Sequence, residues 1–356
     1  MWTSHSYTGD YSYKVPGLYV TCVDIHNRMT LVGRYSLSCH CSRKYHISRS
    51  YLSSKCFSTT TNADGGRYLF DKDTAVHSLI GKDNHFTSFI TNNWSIVDAP
   101  NGGYLMSIAI TAAQRAIKFQ DPLTVSAYYT AKALEDHPLD IEVTTLSEAR
   151  SSATVQISFK QLGTLRCQFL GTFGDYNLLK GVDYGTLIGP LLPPIEECID
   201  SSAIVQKILG DQNTISKNIR FLAPPDDPFV VGCLHGRREE VSSATTSCWV
   251  RFEDGRLPCV RSSAFFLDAL PPPILSAVPS TWVPTFEFNV HFWSRPTPVA
   301  SIDPTNGSAR WLRCRFHTPF VLRGMLYTDG ELWDEQGTTL LATSRQLARV
   351  LINVKN

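Results

Sequence analysis

Two polar residues of this sequence, of types that could do chemistry, stand among apolar neighbours. Asp268 lies in AFFLDALPPP, directly after Phe265, Phe266 and Leu267. Apolar neighbours disfavour the charged form of a carboxyl group and raise its pKa, which suits a general base near neutral pH. Gln346 interrupts the strand-like run LLATSRQLAR. Taken singly, each has an ordinary interpretation, because an aspartate near apolar residues is usually a helix cap and a glutamine usually faces solvent.

Other residues that could do chemistry have weaker contexts. Ser262 and Ser263 lack the flanking glycines of a serine-hydrolase elbow. His291 lies in an alternating strand-like run, where packing is the ordinary role, and the histidine of CLHGRREE at 233–240 stands among charges typical of a solvated loop. CHC at 39–41 has no second ligand pair at zinc-finger spacing. The sequence therefore predicts neither a metal site nor a cofactor.

Composition excludes several classes of protein. The chain has 356 residues, of which 43% are hydrophobic and 18% charged, as in globular proteins with a sizeable core. A formal net charge of +1 gives no electrostatic case for binding nucleic acid or an anionic membrane. No apolar run approaches the roughly 20 residues of a membrane helix. The length favours two domains or one duplicated fold.

Residues 1–67 differ from the rest of the chain. The first 60 residues carry seven Lys or Arg and two acidic residues and are rich in Ser, Tyr and Thr. Such a basic, acid-poor leader is typical of an organelle targeting segment, and a disordered extension or a mistranslated upstream region are the alternatives. Four of the ten cysteines lie here, without the pattern of a secreted disulfide scaffold, so reduced thiols are expected. The cytoplasm is the expected location, with mitochondria as the alternative.

From residue 68 onward, one helix and several strands occur twice. In 68–178, YLMSIAITAAQRAI has the 3.6-residue period of a buried helix and follows a Gly pair, and four β-branched, aromatic-rich runs favour an antiparallel meander. A Pro-rich passage in 179–228 predicts a linker and the start of a second unit. In 229–356, a helix-like piece that contains Asp268 is stopped by three prolines, and strands follow. The turns of that second unit are expected at TDG and EQG.

The order NGGY, FFLDALPPP, PTFEFNVHF and LLATSRQLAR resembles the thioesterase-like proteins of double-hotdog fold, which are similar to type II acyl-CoA thioesterases. The resemblance covers roughly residues 70–354. It implies an α+β double hotdog, in which each of two curved antiparallel sheets wraps a central helix and the two sheets join into one surface.

The resemblance also implies a site that needs no metal. This family is understood to hold a hydrolytic water with Asp, Thr and Gln from the second unit, and the matching residues are Asp268, Thr285 and Gln346. Between Phe292 and Arg295 the chain is one residue longer than the family pattern. By analogy, backbone N–H groups of Gly102 and Gly103 are candidates to stabilise the oxyanion, and these glycines with Tyr104 are the predicted substrate-binding residues.

Several expectations about ligands follow from the resemblance. The first hypothesis is hydrolysis of an acyl thioester to a carboxylic acid and free CoA. A tailoring enzyme of a polyketide or fatty-acyl pathway and a non-hydrolytic acyl-thioester-binding protein are the alternatives. A homodimer is expected by analogy alone. Basic residues at the pocket mouth would suit the phosphates of CoA, and the candidates are Arg295, Arg310, Arg313 and Arg323. Trp94, Tyr104, Tyr128 and Tyr129 either line an acyl tunnel or pack in the core.

Overall fold

The computed structural model describes residues 67–210, 213–278, 283–296 and 311–351, together with three strands near the start of the chain. Those strands, β1 (Tyr11–Val15), β2 (Leu18–Ile25) and β3 (Arg28–Val32), form an antiparallel sheet in sequence order. The CHC motif and Arg310 lie outside the described residues. Targeting or disorder of residues 1–67 stays a prediction.

The first repeat contains the predicted helix, but only the last three of the four predicted strands form a meander, because the first of the four, Asp121–Tyr129, pairs with the last, Thr164–Gly174. Its helices are α1 (Leu69–Asp73) and α2 (Gly102–Ala116). Its strands are β4 (His77–Ser78), β5 (His85–Phe89), β6 (Ser95–Ile96), β7 (Ala99–Pro100), β8 (Asp121–Tyr129), β9 (Pro138–Glu148), β10 (Ser152–Gln161) and β11 (Thr164–Gly174). The side chain of Asn101 caps α2 by accepting from the Tyr104 N–H at 2.9 Å, a common way to satisfy a first-turn donor.

The second repeat begins with a short strand and a helix, which precede its longer strands. Its helices are α3 (Ser201–Leu209) and α4 (Val260–Phe266). Its strands are β12 (Ile199–Asp200), β13 (Ile219–Ala223), β14 (Ala244–Phe252), β15 (Thr285–Phe292), β16 (Leu312–Leu322), β17 (Met325–Trp333) and β18 (Leu340–Arg349). Short 3₁₀ turns and one π turn (Val230–Leu234) connect these elements.

The strands of both repeats form one sheet. Its order is β12-β13-β14-β16-β17-β18-β15-β8-β11-β10-β9-β5-β4. The repeats meet where β15 pairs antiparallel with β8, from Glu287 opposite Tyr128 to His291 opposite Thr124. Alternate residues of β15, such as Phe288 and Val290, are fully buried, as the two-residue period of a half-covered strand requires. This continuous sheet confirms the expected double hotdog.

The two central helices, α2 and α4, pack against each other in opposite directions. Gly103, at the start of α2, lies against Ala264 near the end of α4. One turn further along α2, Ser107 donates its hydroxyl to the carbonyl of Arg261, near the start of α4, at 2.9 Å. A Cβ at Gly103 would lie 2.5 Å from the Ala264 carbonyl oxygen, which is backbone and cannot rotate away. Gly103 is therefore required by the close approach of the helices, and this approach brings the start of α2 to the end of α4.

Two local expectations were wrong. Asp268 was expected on the central helix, but α4 ends at Phe266 and Asp268 lies in the following turn. There its N–H donates to the Phe265 carbonyl. TDG was expected to be a turn, but it lies inside β17, where a Cβ at Gly330 would come within 2.5 Å of Ser344 Oγ. The turn before β17 is made by Arg323 and Gly324, both at positive φ, whereas EQG does lie in the turn after it.

No helix among the described residues is long and apolar enough to cross a membrane.

Candidate active site

Asp268 is held by donors from both repeats. Its Oδ2 accepts from the Gly103 N–H and from Asn101 Nδ2, each at 2.8 Å. Its Oδ1 accepts from Gln346 Nε2 at 2.9 Å. Because a helix N-terminus presents unpaired N–H groups and a partial positive charge, the start of α2 is a favourable place for a carboxylate. The carboxyl group comes from the second repeat and much of its binding site from the first.

Burial and hydrogen bonding act on this carboxyl group in opposite directions. Burial raises the pKa of Asp268 to about 6, because the charged form loses its hydration, while the donors from Gly103, Gln346, Gly102 and Asn101 stabilise the anion and limit the increase. At neutral pH the group is therefore mostly ionised but remains a better base than an exposed aspartate. A pKa just below the working pH suits general-base catalysis.

Gln346 links Asp268 to Thr285. Gln346 Nε2 donates to Asp268 Oδ1 and, at 2.6 Å, to Thr285 Oγ1. A carboxylate can only accept, so the NH₂ end of the amide must face Asp268. Thr285 Oγ1 therefore accepts from Gln346, and its own hydrogen remains free to donate. The three residues expected from the sequence are thus side by side, Thr285 at the start of β15 and Gln346 in β18.

These side chains open on a cavity of about 590 Å³, a size typical of ligand sites. Its wall is mainly apolar, with side chains from both repeats. Examples are Leu105, Val205, Ile219, Phe221, Leu270 and Phe286. Asp268, Thr285 and Gln346 lie in the same wall, so an apolar group in the cavity would be next to these three polar side chains.

The predicted substrate-binding residues have different positions. Gly102 lines the cavity, and a Cβ there would lie 3.0 Å from Asp268 Oδ2. The Gly103 N–H is occupied by Asp268. Tyr104 is fully buried, donates its hydroxyl to the Asp73 carbonyl at 3.0 Å and is not among the cavity-lining residues. The structure thus brings Gly102 and Gly103 to the site and leaves Tyr104 in the core.

The other aromatic candidates also separate. Trp94 is buried and donates its indole N–H to Asp73, so it belongs to the core. Tyr128 is 51% exposed, whereas Tyr129 lines the cavity. Consecutive strand residues face opposite sides of a sheet, which accounts for this difference.

The arginines considered for CoA phosphates lie elsewhere. Arg295 makes a bidentate ion pair with Asp121, with both distances 2.6 Å, and Arg313 donates to the Glu335 and Pro190 carbonyls. Arg295, Arg313 and Arg323 do not line the cavity. Among the described residues, the cationic side chains that do line it are Lys132 and Arg238. Among residues whose positions are described, no group of three or more His, Cys, Asp or Glu could hold a metal ion.

Asn101 belongs to the site although it was not among the residues predicted for it. Its Nδ2 donates both to Asp268 Oδ2 and to the Asp268 carbonyl, the latter at 2.7 Å, while its Oδ1 caps α2. The motif NGG could have predicted this position, because Asn is a preferred N-cap and a cap residue lies close to any group that binds the helix N-terminus. What that pattern cannot show is that the ligand of this N-terminus is a carboxylate 167 residues away.

Two family models match the chain. Residues 90–174 match the family model of the acyl-CoA thioesterase N-terminal domain, and residues 207–350 match that of the acyl-CoA thioesterase C-terminal domain. No curated protein sequence matches the chain.

Solved structures share the fold at low sequence identity. A candidate thioesterase II from Thermobifida fusca is 24% identical with a TM-score of 0.66, over 80% of this chain and 98% of that one. A hot dog protein of unknown function from Alicyclobacillus acidocaldarius is 20% identical with a TM-score of 0.64, over 81% and 99% of the two chains. The acyl-CoA thioesterase II TesB2 from Mycobacterium marinum is 14% identical with a TM-score of 0.59, over 81% and 100%. Since the two family models together match more than half of the chain, it belongs to the acyl-CoA thioesterase family that these N-terminal and C-terminal domain models describe.

Proposed function

We propose that this protein hydrolyses an acyl thioester, of the acyl-CoA type, to a carboxylic acid and a free thiol. The observation that carries the proposal is the Asp268, Gln346 and Thr285 group in the wall of an apolar cavity. An acyl chain would occupy the cavity, since each buried CH₂ contributes about 0.8 kcal/mol. The thioester carbonyl would then lie beside the polar group.

In the proposed reaction, Asp268 acts as the general base. A water bound to Asp268 and to the Thr285 hydroxyl attacks the thioester carbon, and its proton passes to the carboxylate. The tetrahedral intermediate collapses with cleavage of the C–S bond, and protonated Asp268 returns the proton to the departing thiolate. The products are a carboxylic acid and a thiol, and no covalent enzyme intermediate forms.

Gln346 and Thr285 serve as positioning groups in this scheme. By donating to both Asp268 and Thr285, Gln346 fixes the orientation of the carboxylate and leaves the Thr285 hydrogen directed to the water. Orientation of this kind lowers the entropy lost on reaching the transition state. A general base itself typically contributes about 10²- to 10⁴-fold.

Release of free thiol from acyl-CoAs of several chain lengths tests the proposal directly. Thr285→Ser keeps the hydroxyl and should retain most of the activity, whereas Thr285→Val keeps the volume without the hydroxyl and should lose most of it. Binding of the same acyl-CoAs is measured by calorimetry in parallel. If the protein binds acyl-CoA and releases no thiol, hydrolysis is excluded and the non-hydrolytic binding function replaces it.

A further inference from the structure

The N–H donors around Asp268 are fully used by the protein itself. The Gly103 N–H is bound to Asp268 Oδ2, and both hydrogens of Asn101 Nδ2 are directed to Asp268. Both hydrogens of Gln346 Nε2 are directed to Asp268 and Thr285. The helix N-terminus that the analogy offered as an oxyanion site is thus occupied by the base. Hydrolysis still requires a donor for the negative charge that develops on the thioester oxygen.

One hydroxyl close to this group has no partner. Tyr129 belongs to β8 of the first repeat and lines the cavity, and its hydroxyl oxygen is buried without a hydrogen bond to any described residue. The ideal Cβ position at Gly102 lies 2.5 Å from Tyr129 Oη and 3.0 Å from Asp268 Oδ2, so both oxygens are next to the same point. A buried hydroxyl that lacks a protein partner is destabilising unless another group accepts its hydrogen, and a ligand carbonyl in the cavity is such an acceptor.

We propose that Tyr129 is a further catalytic residue, whose phenol hydrogen is donated to the thioester carbonyl oxygen as that oxygen becomes negative. This inference rests on the proposed function. The phenol and the base would stand at the two ends of the reacting carbonyl. The first repeat then contributes the electrophilic part of the site, and the second repeat the part that activates water.

The protonation state of the phenol agrees with this role. Burial and the nearby charge of Asp268 raise the pKa of Tyr129 well above its ordinary value, so the hydroxyl keeps its hydrogen across the working pH range. A neutral phenol fixed in the cavity wall is a preorganised donor, and it transfers no proton in this step. The proton balance of hydrolysis therefore stays with Asp268.

Tyr129→Phe removes only the hydroxyl and tests the inference. We expect kcat to fall by about 10²-fold or more while KM changes little, because the bond strengthens only in the transition state. The denaturation midpoint should stay the same or rise, since the variant no longer buries an unpartnered oxygen. Tyr128→Phe, one residue away and exposed, is the matched control and should leave kcat unchanged.

A spectroscopic measurement separates this inference from the proposed function. In an acyl-CoA analogue, a methylene replaces the thioester sulfur and the carbonyl carbon is ¹³C-labelled, so the ligand cannot be hydrolysed. Its C=O stretch should shift to lower frequency on binding to the wild type and return toward the solution value in Tyr129→Phe.

The outcomes of the two experiments are distinct. An active wild type with unchanged kcat in Tyr129→Phe overturns the role of Tyr129 and leaves the proposed function intact. A wild type without thiol release overturns the proposed function and, with it, the catalytic role of Tyr129, and the C=O stretch then tests only the bond from the phenol to a bound carbonyl. An equal C=O frequency in both proteins, or failure of the wild type to bind the ketone, overturns the inference.

Discussion

Replacement of Asp268 by asparagine should remove activity and change the pH dependence of stability at the same time. The amide has nearly the same shape, and Gln346 can turn its own amide so that its oxygen accepts from the new NH₂. The donors from Gly103 and Asn101 keep an oxygen to bind. The protein should therefore fold, whereas kcat should fall by about 10²- to 10⁴-fold through loss of the general base.

The stability change follows from the pKa. Asp268 has a pKa of about 6 in the folded protein and an ordinary value of 3.8. Because the folded state holds the proton more tightly, the contribution of this group to stability is fully present below pH 3.8. That contribution is lost as the pH rises through 6. About two pKa units correspond to about 3 kcal/mol, of which about 2 kcal/mol lie between roughly pH 4.5 and 8.

Urea unfolding of wild type and Asp268→Asn at these two pH values measures the effect. The free energy of unfolding of the variant relative to wild type should increase by about 2 kcal/mol from the lower to the higher pH. Asp140→Asn, at an exposed site on β9, is the control and should give no activity loss. If the stability of Asp268→Asn relative to wild type is the same at both pH values, burial does not raise the pKa of Asp268. If the variant still hydrolyses the thioester, Asp268 is not the general base.

Three further predictions concern the same site. The logarithm of kcat/KM should rise with pH and level off above about pH 6, the pKa of Asp268. In Asn101→Ala this apparent pKa should be higher, because one donor to the Asp268 anion is lost. An unchanged apparent pKa in the pH–rate profile of the variant would contradict that contact. Gly103→Ala should reduce both the denaturation midpoint and kcat, since its Cβ would meet the Ala264 carbonyl oxygen, and a variant with wild-type values of both would disprove the close helix contact. In a series of acyl-CoAs, KM should fall about fourfold for each added CH₂ until the cavity is filled, whereas a flat series would show that the chain lies outside it.

Local patterns predicted the elements of the fold well. The 3.6-residue period of YLMSIAITAAQRAI gave the helix that the structure shows over Gly102–Ala116, and the alternating runs gave strands. TDG failed because Gly330 is needed for close packing against Ser344, and a glycine in sequence looks the same whether it makes a turn or makes room.

The site was harder to predict because its contacts are remote in sequence. The resemblance to a family pointed to Asp268, Thr285 and Gln346, but it could not show that the N-terminus of α2 binds the carboxylate. That contact depends on how the two repeats dock. Strand period shows that neighbouring tyrosines of β8 face opposite sides, yet not which of them faces the cavity.

The residues nine positions after the two helix caps differ between the repeats. Asp268 lies nine residues after Cys259, the cap of α4, and the residue nine after Asn101, the cap of α2, is Ile110. Ile110 is fully buried and cannot ionise. At this spacing from its helix cap, the first repeat has an apolar residue and the second repeat has an acid. Of these two positions, only that of Asp268 can therefore take the proposed role of general base.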